Sequence, residues 1–275
     1  MREDELEQIG SVTSLLRNEN ILRIVDAHDI IKGLKKKNAY NLFNLSTYTS
    51  HLENFHSDVI ASLLDVNGLH DQGNLFLMLF IEFLNRDYHC KLQMKDFTDA
   101  QVLREKGRID IWIRNEAKGK AILIENKMNN AGDREGQIDD YHEYSETRGN
   151  CKVEAIVYLS LDGLKPTPAI GANLEKLICN IGAFTNTKGD LISGWLQPCL
   201  NASLNNKDTS SLLNQYIKLI HHLASKQMDN NTLNEFYDFI NQNHASKAIN
   251  TLIELNRLIP KYRTDKFVKQ ITYIF

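Results

Sequence analysis

Cysteine is scarce in this chain of 275 residues, and its four cysteines are widely spaced. No two of them have the C-x-x-C spacing, and none has the spacing of a zinc site, which argues against a zinc-binding domain. We therefore expect isolated, reduced thiols in a cytoplasmic protein. The four residues are Cys90, Cys151, Cys179 and Cys199.

Long hydrophobic runs are also missing. No apolar stretch approaches the roughly 20 residues that a membrane-spanning helix needs. The charged start, Met1 to Glu5, does not resemble a signal peptide. We expect a globular protein with no membrane partner, because 42% hydrophobic and 24% charged residues are typical of that class. There is no internal repeat and no low-complexity segment.

The sequence has no excess of positive charge. A formal net charge of -3 argues against a protein that coats nucleic acid through bulk electrostatics. Residues 104–127 are locally basic, however, with seven Lys and Arg side chains against four acids. A local positive surface is sufficient for phosphate binding. Lysines at strand edges also discourage edge pairing, so both interpretations of this region stay open.

A predicted β-hairpin carries the clearest pattern in the chain. Two strand-like runs, residues 108–114 and 120–127, flank a polar break at residues 116–119. Each run places an acid, Asp110 or Glu125, among residues that favour burial. Because burying a lone carboxylate is costly, such acids need a partner, a cation or a function.

The spacing of the hairpin predicts where these acids lie. If the loop is symmetric, Asn115 pairs with Lys120, and the same register places Asp110 opposite Glu125. Their Cβ atoms would then lie roughly 4.5–5.5 Å apart. Carboxylates at that distance repel each other, and a divalent cation between them relieves the repulsion. Lys127 shares the face of Glu125 because side chains alternate along a strand, and a register shift of one residue would remove this arrangement.

This D…E-x-K pattern on adjacent strands resembles the PD-(D/E)XK nuclease superfamily. Asp110 and Glu125 stand at the positions of the two acids of the family, and Lys127 stands at the position of its lysine. Ile109 replaces the usual proline before the first acid. Two further blocks, Glu53 to Ser57 (E-N-F-H-S) and Gly136 to Tyr141, resemble a bacterial branch of the superfamily. The resemblance covers about residues 45–225.

The resemblance implies a set of site residues and a metal cofactor. Asp110, Glu125 and the main-chain carbonyl of Asn126 would hold Mg²⁺ or Mn²⁺, and Lys127 would orient the attacking water. Glu53 would bind a metal water or a second ion, although Ser50 to Glu53 also fits a helix capping box. Gln137 is a candidate for binding phosphate or orienting water, or is an exposed glutamine. The tentative substrate-binding residues are His56, Ser57, Arg108 and Tyr141.

The fold implied is α/β, a restriction-endonuclease-like core with a mixed central sheet of about 4–5 strands flanked by helices. Helices are expected within residues 1–38 and at 53–64, 74–84 and 133–148. Strands are expected at residues 100–104, 154–160 and 176–181, the second parallel to the hairpin and the third at an edge. We expect a nuclease domain at residues 1–226 (core about 45–225) and a helical C-terminal extension at residues 227–275, with a loop at residues 228–231 as the boundary.

The expected function is a metal-dependent nuclease acting on nucleic acid, with DNA favoured over RNA, in phage defence or DNA processing. Many members of the resembled family act as dimers, so a homodimer is also expected. One alternative is a catalytically inactive module of the same fold that binds nucleic acid or protein. Another is a structural network in which the acids pair with Arg104, Arg108 or Lys127.

Overall fold

The computed structural model describes residues 14, 17–37, 41–45, 53–128, 134–166, 171, 173–242, 249–250 and 253. Within these ranges, the side chains of residues 34–37, 44–45, 53, 229–231, 233 and 240–242 are not described. The chain divides into two compact units, residues 37–224 and residues 1–36 with 225–275. The boundary expected near residue 226 stays a prediction.

The described elements are numbered in chain order. The helices are α1 (Glu19–Lys37), α2 (Glu53–Leu64), α3 (Leu75–Tyr88), α4 (Gln137–Thr147), α5 (Gln197–Ala202) and α6 (Lys207–Gln242). The strands are β1 (Gln101–Arg104), β2 (Ile111–Asn115), β3 (Lys120–Lys127), β4 (Lys152–Ser160) and β5 (Ile178–Gly182). Short 3₁₀ helices lie at Leu42–Leu45, Met94–Asp96, Lys106–Arg108 and Glu175–Leu177, and a π-helix, Ile192–Leu196, leads into α5. None of the described helices combines the length and hydrophobicity of a bilayer-spanning segment.

The five strands form one mixed sheet in the order β1-β2-β3-β4-β5. Strand β2 is antiparallel to both β1 and β3, because short connections of six and four residues join it to them. Strands β3, β4 and β5 are parallel, and α4 makes the crossover from β3 to β4. The α/β fold predicted from the sequence is confirmed, including the parallel fourth strand and the fifth strand at the edge of the sheet.

Both faces of the sheet are covered by hydrophobic cores. One core packs α2, α3 and the helical segment around Trp195 against inward residues such as Ile122 and Ile124. The other packs Ile138 and Tyr141 of α4 against the opposite face. Strand β3 is therefore buried on both sides, which explains its nearly continuous apolar sequence. Its polar C-terminal end must find polar partners inside the protein.

Two local predictions were wrong. The expected loop at residues 228–231 is helical, because α6 continues through it. This stretch contains no Gly or Pro, and Asp and Asn each lower helix propensity by less than about 0.7 kcal/mol relative to Ala. The first hairpin strand begins at Ile111 rather than at residue 108, because Lys106–Arg108 form a 3₁₀ turn with Gly107 and Arg108 both at φ 66°. Most of the chain beyond residue 242 lies outside the described residues.

The cysteines are free thiols, as expected, but two of them are not isolated. The Sγ atoms of Cys90 and Cys179 lie 2.9 Å apart, although 89 positions separate the residues in the sequence. Cys90 follows α3 and Cys179 lies on β5. Spacing along the chain could not show this contact, because it forms only when folding brings the segment after α3 to β5.

Gly194, in the π-helix, tests how tightly this region is packed. A Cβ at this position would lie 2.1 Å and 2.2 Å from two ring carbons of Phe83, and Phe83 is completely buried. We expect Gly194→Ala to lower the free energy of unfolding by roughly 1–2 kcal/mol, because overpacking costs more than the gain in helix propensity.

Chemical denaturation of the full chain measures this change. Gly189→Ala is the matched control, because a Cβ at Gly189 would meet nothing within 4 Å. Equal stability of the two variants would show that the contact with Phe83 relaxes without cost.

Candidate active site

The predicted acids lie at adjoining ends of strands β2 and β3. The predicted register is confirmed, since Asn115 pairs with Lys120. The last paired residues are Ile111 and Ile124, so the two strands stop pairing one position before Asp110 and Glu125. Asp110 instead accepts a hydrogen bond through Oδ2 from the backbone N–H of Asn126, at 2.8 Å. The first acid is thereby bound directly to the strand that carries the second.

The same hydrogen bond orients the main chain of Asn126. The N–H and C=O groups of one strand residue project toward the same neighbouring strand. Since the Asn126 N–H points toward Asp110, we infer that the Asn126 carbonyl also projects to that side. The carbonyl oxygen is therefore directed toward the end of β2, where the Asp110 carboxylate lies.

Glu125 and Lys127 form a buried ion pair on one face of β3. Lys127 Nζ lies 2.5 Å from Glu125 Oε1, and the side chains are 8% and 1% exposed, respectively. The two residues share this face because side chains alternate along the strand. A buried ion pair is costly to break, so removing either partner alone leaves a charge in a poorly solvated place.

Gln137, the first residue of α4, extends this polar cluster. Its Nε2 donates to Glu125 Oε1 at 2.8 Å and lies 2.6 Å from the hydroxyl oxygen of Tyr141, one helical turn later. Burial raises the pKa of Tyr141 above its usual range, so the phenol stays protonated. Gln137 and Tyr141 therefore lie on one face of α4, as their spacing of four residues predicts, and Gln137 binds Glu125.

Burial raises the pKa of Asp110 above its usual range. The Asn126 N–H opposes this shift most strongly, followed by the positive charges of Lys127 and Arg104, while the charge of Glu105 adds to it. Desolvation nevertheless outweighs the groups that favour the ionised form. A carboxylate in this position gains from an additional cation.

Arg104 holds the backbone around Asp110, a contact that the sequence did not predict. Its guanidinium donates through Nη1 to the main-chain oxygen of Asp110 and through Nε to Asp58 Oδ1, the latter at 2.8 Å. Asp58 belongs to α2, so Arg104 connects that helix to the loop before β2. Every residue has a main-chain oxygen, so the sequence does not show which one a side chain will contact.

His56 and Ser57 are completely buried, on the opposite side of β3 from Glu125. Asn126 Nδ2 donates to Ser57 Oγ at 2.8 Å. His56 Nδ1 lies 3.1 Å from the hydroxyl of Tyr216 in α6. This placement favours a role for both residues in supporting Asn126 and the helices over direct contact with substrate.

Two further candidate residues are Arg108 and Glu53. Arg108 is exposed on the 3₁₀ turn two residues before Asp110, where its charge is available to a ligand. Glu53 is the first residue of α2, but its side chain lies outside the described residues. The role of Glu53 at the metal stays a prediction.

The oxygen donors at the strand ends suit a hard divalent cation. Among the described residues, no group of three or more His, Cys, Asp and Glu side chains could hold a metal. The available set is two carboxylates, Asp110 and Glu125, with the Asn126 carbonyl. Mg²⁺ and Mn²⁺ prefer such oxygen ligands, and Mg²⁺ retains several waters at sites with few protein ligands. The donor chemistry and the poorly compensated charge of Asp110 therefore fit the expected metal.

Comparison with known protein families identifies one match. Residues 40–218 match the family model of the PD-(D/E)XK nuclease superfamily. This range contains the complete sheet and every candidate site residue. No curated protein and no solved structure matches the chain.

Proposed function

The chain belongs to the PD-(D/E)XK nuclease superfamily, and from this premise we propose that it is a metal-dependent nuclease that hydrolyses phosphodiester bonds in DNA. One observation carries the proposal. The Asp110 carboxylate is hydrogen-bonded to the β3 main chain next to the buried Glu125–Lys127 pair. Two acids, a main-chain carbonyl and an ammonium group therefore meet at one end of the sheet.

Asp110, Glu125 and the Asn126 carbonyl would hold Mg²⁺ or Mn²⁺, with Glu53 reaching it through water. The bound ion supplies Lewis-acid stabilisation of the phosphoryl oxygens. Gln137 holds Glu125 in place through its amide, at 2.8 Å from Oε1. This bond fixes the rotation of the carboxylate before any ligand binds.

Lys127 would act on the water and the phosphoryl group of the substrate rather than on the metal. Its ammonium group is held on the same face as Glu125, where it orients the attacking water and offsets negative charge that develops on the phosphoryl group. Because the Lys127 side chain is only 8% exposed, bulk water screens this charge weakly. Arg108, which is exposed on its turn, would contact a neighbouring phosphate of the nucleic acid, whereas the buried Tyr141 would act by holding Gln137.

The biological setting is part of the same proposal. Cleavage of both strands of a duplex is favoured by two active sites, so we propose that the protein acts as a homodimer. We propose that it acts in the cytoplasm, in phage defence or DNA processing. The local excess of basic residues between Arg104 and Lys127 supports binding of a polyanion despite the net charge of -3.

A cleavage assay of the purified full chain tests the function. Supercoiled plasmid, linear duplex DNA, single-stranded DNA and RNA are each incubated with Mg²⁺, Mn²⁺ or EDTA. We expect cleavage of DNA that requires the metal and disappears in EDTA. Glu125→Gln is the control, since it removes the ligand charge but keeps an oxygen that can accept from Gln137, which Glu125→Ala would not.

The outcomes separate the alternatives. Cleavage that persists in EDTA would contradict the metal-dependent mechanism. Binding of DNA without cleavage under every metal condition would indicate an inactive member of the superfamily. Neither binding nor cleavage, together with no effect of metal on the melting temperature, would indicate that the acids are structural.

A further inference from the structure

Asn126 is anchored on both sides of strand β3. Its backbone N–H donates to Asp110, as described above. Its side chain lies on the other side, where Nδ2 donates to Ser57 Oγ at 2.8 Å and Oδ1 accepts from the Met128 N–H at 3.2 Å. The side chains of Asn126 and Ser57 are both completely buried. The residue whose carbonyl we infer to project toward Asp110 is therefore held by groups on the other side of β3.

Helix α2 provides this support, and it also holds Asp110. Ser57 reaches Asn126 from α2, while the neighbouring residue, Asp58, binds the guanidinium of Arg104. Arg104 in turn donates to the main-chain oxygen of Asp110. One helix thus fixes the backbone of both strand ends that carry the proposed metal ligands.

We propose that Ser57 is a positioning residue for metal binding. By holding the Asn126 side chain, it fixes the peptide whose N–H orients Asp110 and whose carbonyl would be a ligand. This inference rests on the proposed function, because it assigns a role toward the metal of that same site. It differs from the substrate contact expected from the sequence, since Ser57 is buried and is separated from the substrate face by β3.

The physical reason is preorganisation. A buried amide that loses its acceptor rotates or takes up water, and the main chain attached to it loses a fixed orientation. Residues that orient metal ligands typically contribute 10–100-fold to metal affinity. The rate at saturating metal depends much less on them, because the ligands adopt the same arrangement once the ion is bound.

Direct binding of Mn²⁺ to the full chain tests the role of Ser57. Isothermal titration calorimetry measures the Kd for wild type, Ser57→Ala and Ser145→Ala. Ser145 is the matched control because it is also completely buried on a helix and donates its hydroxyl to a carbonyl, that of Cys151 at 3.1 Å. We expect Ser57→Ala to weaken Mn²⁺ binding by about 10–100-fold. Ser145→Ala should lower the melting temperature by a similar amount but bind Mn²⁺ with a Kd close to that of wild type.

Cleavage provides a second readout. For Ser57→Ala, the Mn²⁺ concentration that gives half-maximal cleavage should rise by a similar factor, while the rate at saturating Mn²⁺ stays close to wild type. Ser57→Cys is the closest replacement in shape, slightly larger, and keeps a weaker hydrogen-bonding group. It should therefore give an intermediate Kd, and it serves as the test if the alanine variant does not fold.

The possible failures are distinguishable. If wild type binds Mn²⁺ and the Ser57 variants bind it equally well, the positioning role is wrong and the nuclease proposal stands. The same conclusion follows if Ser145→Ala weakens binding as much as Ser57→Ala does. If wild type itself neither binds Mn²⁺ nor cleaves, the proposed function fails.

Discussion

Replacing Lys127 with methionine is expected to slow phosphodiester hydrolysis by about 10²–10³-fold while metal binding is retained. The lysine supplies the ammonium group that orients water and offsets charge in the transition state. Methionine has a similar length and fills the same buried space without the charge. The metal ligands, Asp110 and Glu125, remain in place, so the variant should separate binding from catalysis.

The stability of this variant should depend strongly on the metal. Without a cation, Glu125 loses the ammonium that lies 2.5 Å away and becomes a buried charge supported by Gln137. Such a change destabilises a protein considerably. A bound divalent ion compensates the same charge, so Mn²⁺ should raise the melting temperature of Lys127→Met more than that of wild type.

Three measurements on the same samples check these expectations: cleavage rate, Mn²⁺ binding and melting temperature with and without Mn²⁺. Lys120→Met is the matched control, because Lys120 begins the same strand and pairs with Glu154 away from the site. Undiminished cleavage by Lys127→Met would exclude Lys127 from catalysis. If Lys127→Met no longer binds Mn²⁺, the role of Lys127 is to maintain the structure of the metal site instead.

Replacing Asp110 with asparagine is expected to remove most of the stabilisation that metal confers. For wild type, a metal concentration 100 times the Kd should add about 2.7 kcal/mol to the free energy of unfolding. The asparagine amide can still accept the Asn126 N–H through its oxygen, but it lacks the charge that attracts the cation. Cleavage should be lost together with the metal effect, in contrast to Lys127→Met.

In EDTA the same substitution should leave the protein at least as stable as wild type. Burial raises the pKa of Asp110, which means that its ionised form is less favourable in the folded protein than in the unfolded chain. A neutral amide avoids that cost at neutral pH.

Thermal melts in EDTA and in Mn²⁺ provide both comparisons. Asp99→Asn serves as the control at an exposed acid of the same unit. If Mn²⁺ raises the melting temperature of Asp110→Asn as much as that of wild type, Asp110 is not a metal ligand.

The sequence was sufficient for the sheet and for the hairpin register. A polar four-residue turn between apolar runs determines how β2 and β3 pair, and this local pattern placed Asp110 beside the end of β3. The helical crossover dictated that β4 be parallel to β3. These features could be predicted because their physical causes lie close together in the chain.

The support of the site could not be predicted in this way. Ser57 and Asn126 are 69 positions apart, and their contact depends on how α2 packs against the sheet. The sequence marked Ser57 through its motif but suggested contact with substrate, because a motif does not show on which side of β3 a side chain lies. The contact between Cys90 and Cys179 was missed for the same reason.

The connection between β2 and β3 also bears on the order of folding. The two strands that carry the acids are joined by a four-residue turn, and hairpins of this kind form in about 1–10 μs. The support from α2 requires closure of a much longer loop, which costs more chain entropy and is slower. During folding, Asp110 and Glu125 should therefore come together before Ser57 reaches Asn126. High affinity for metal should be one of the last properties that the chain acquires, and refolding followed by stopped-flow Mn²⁺ binding would show this delay.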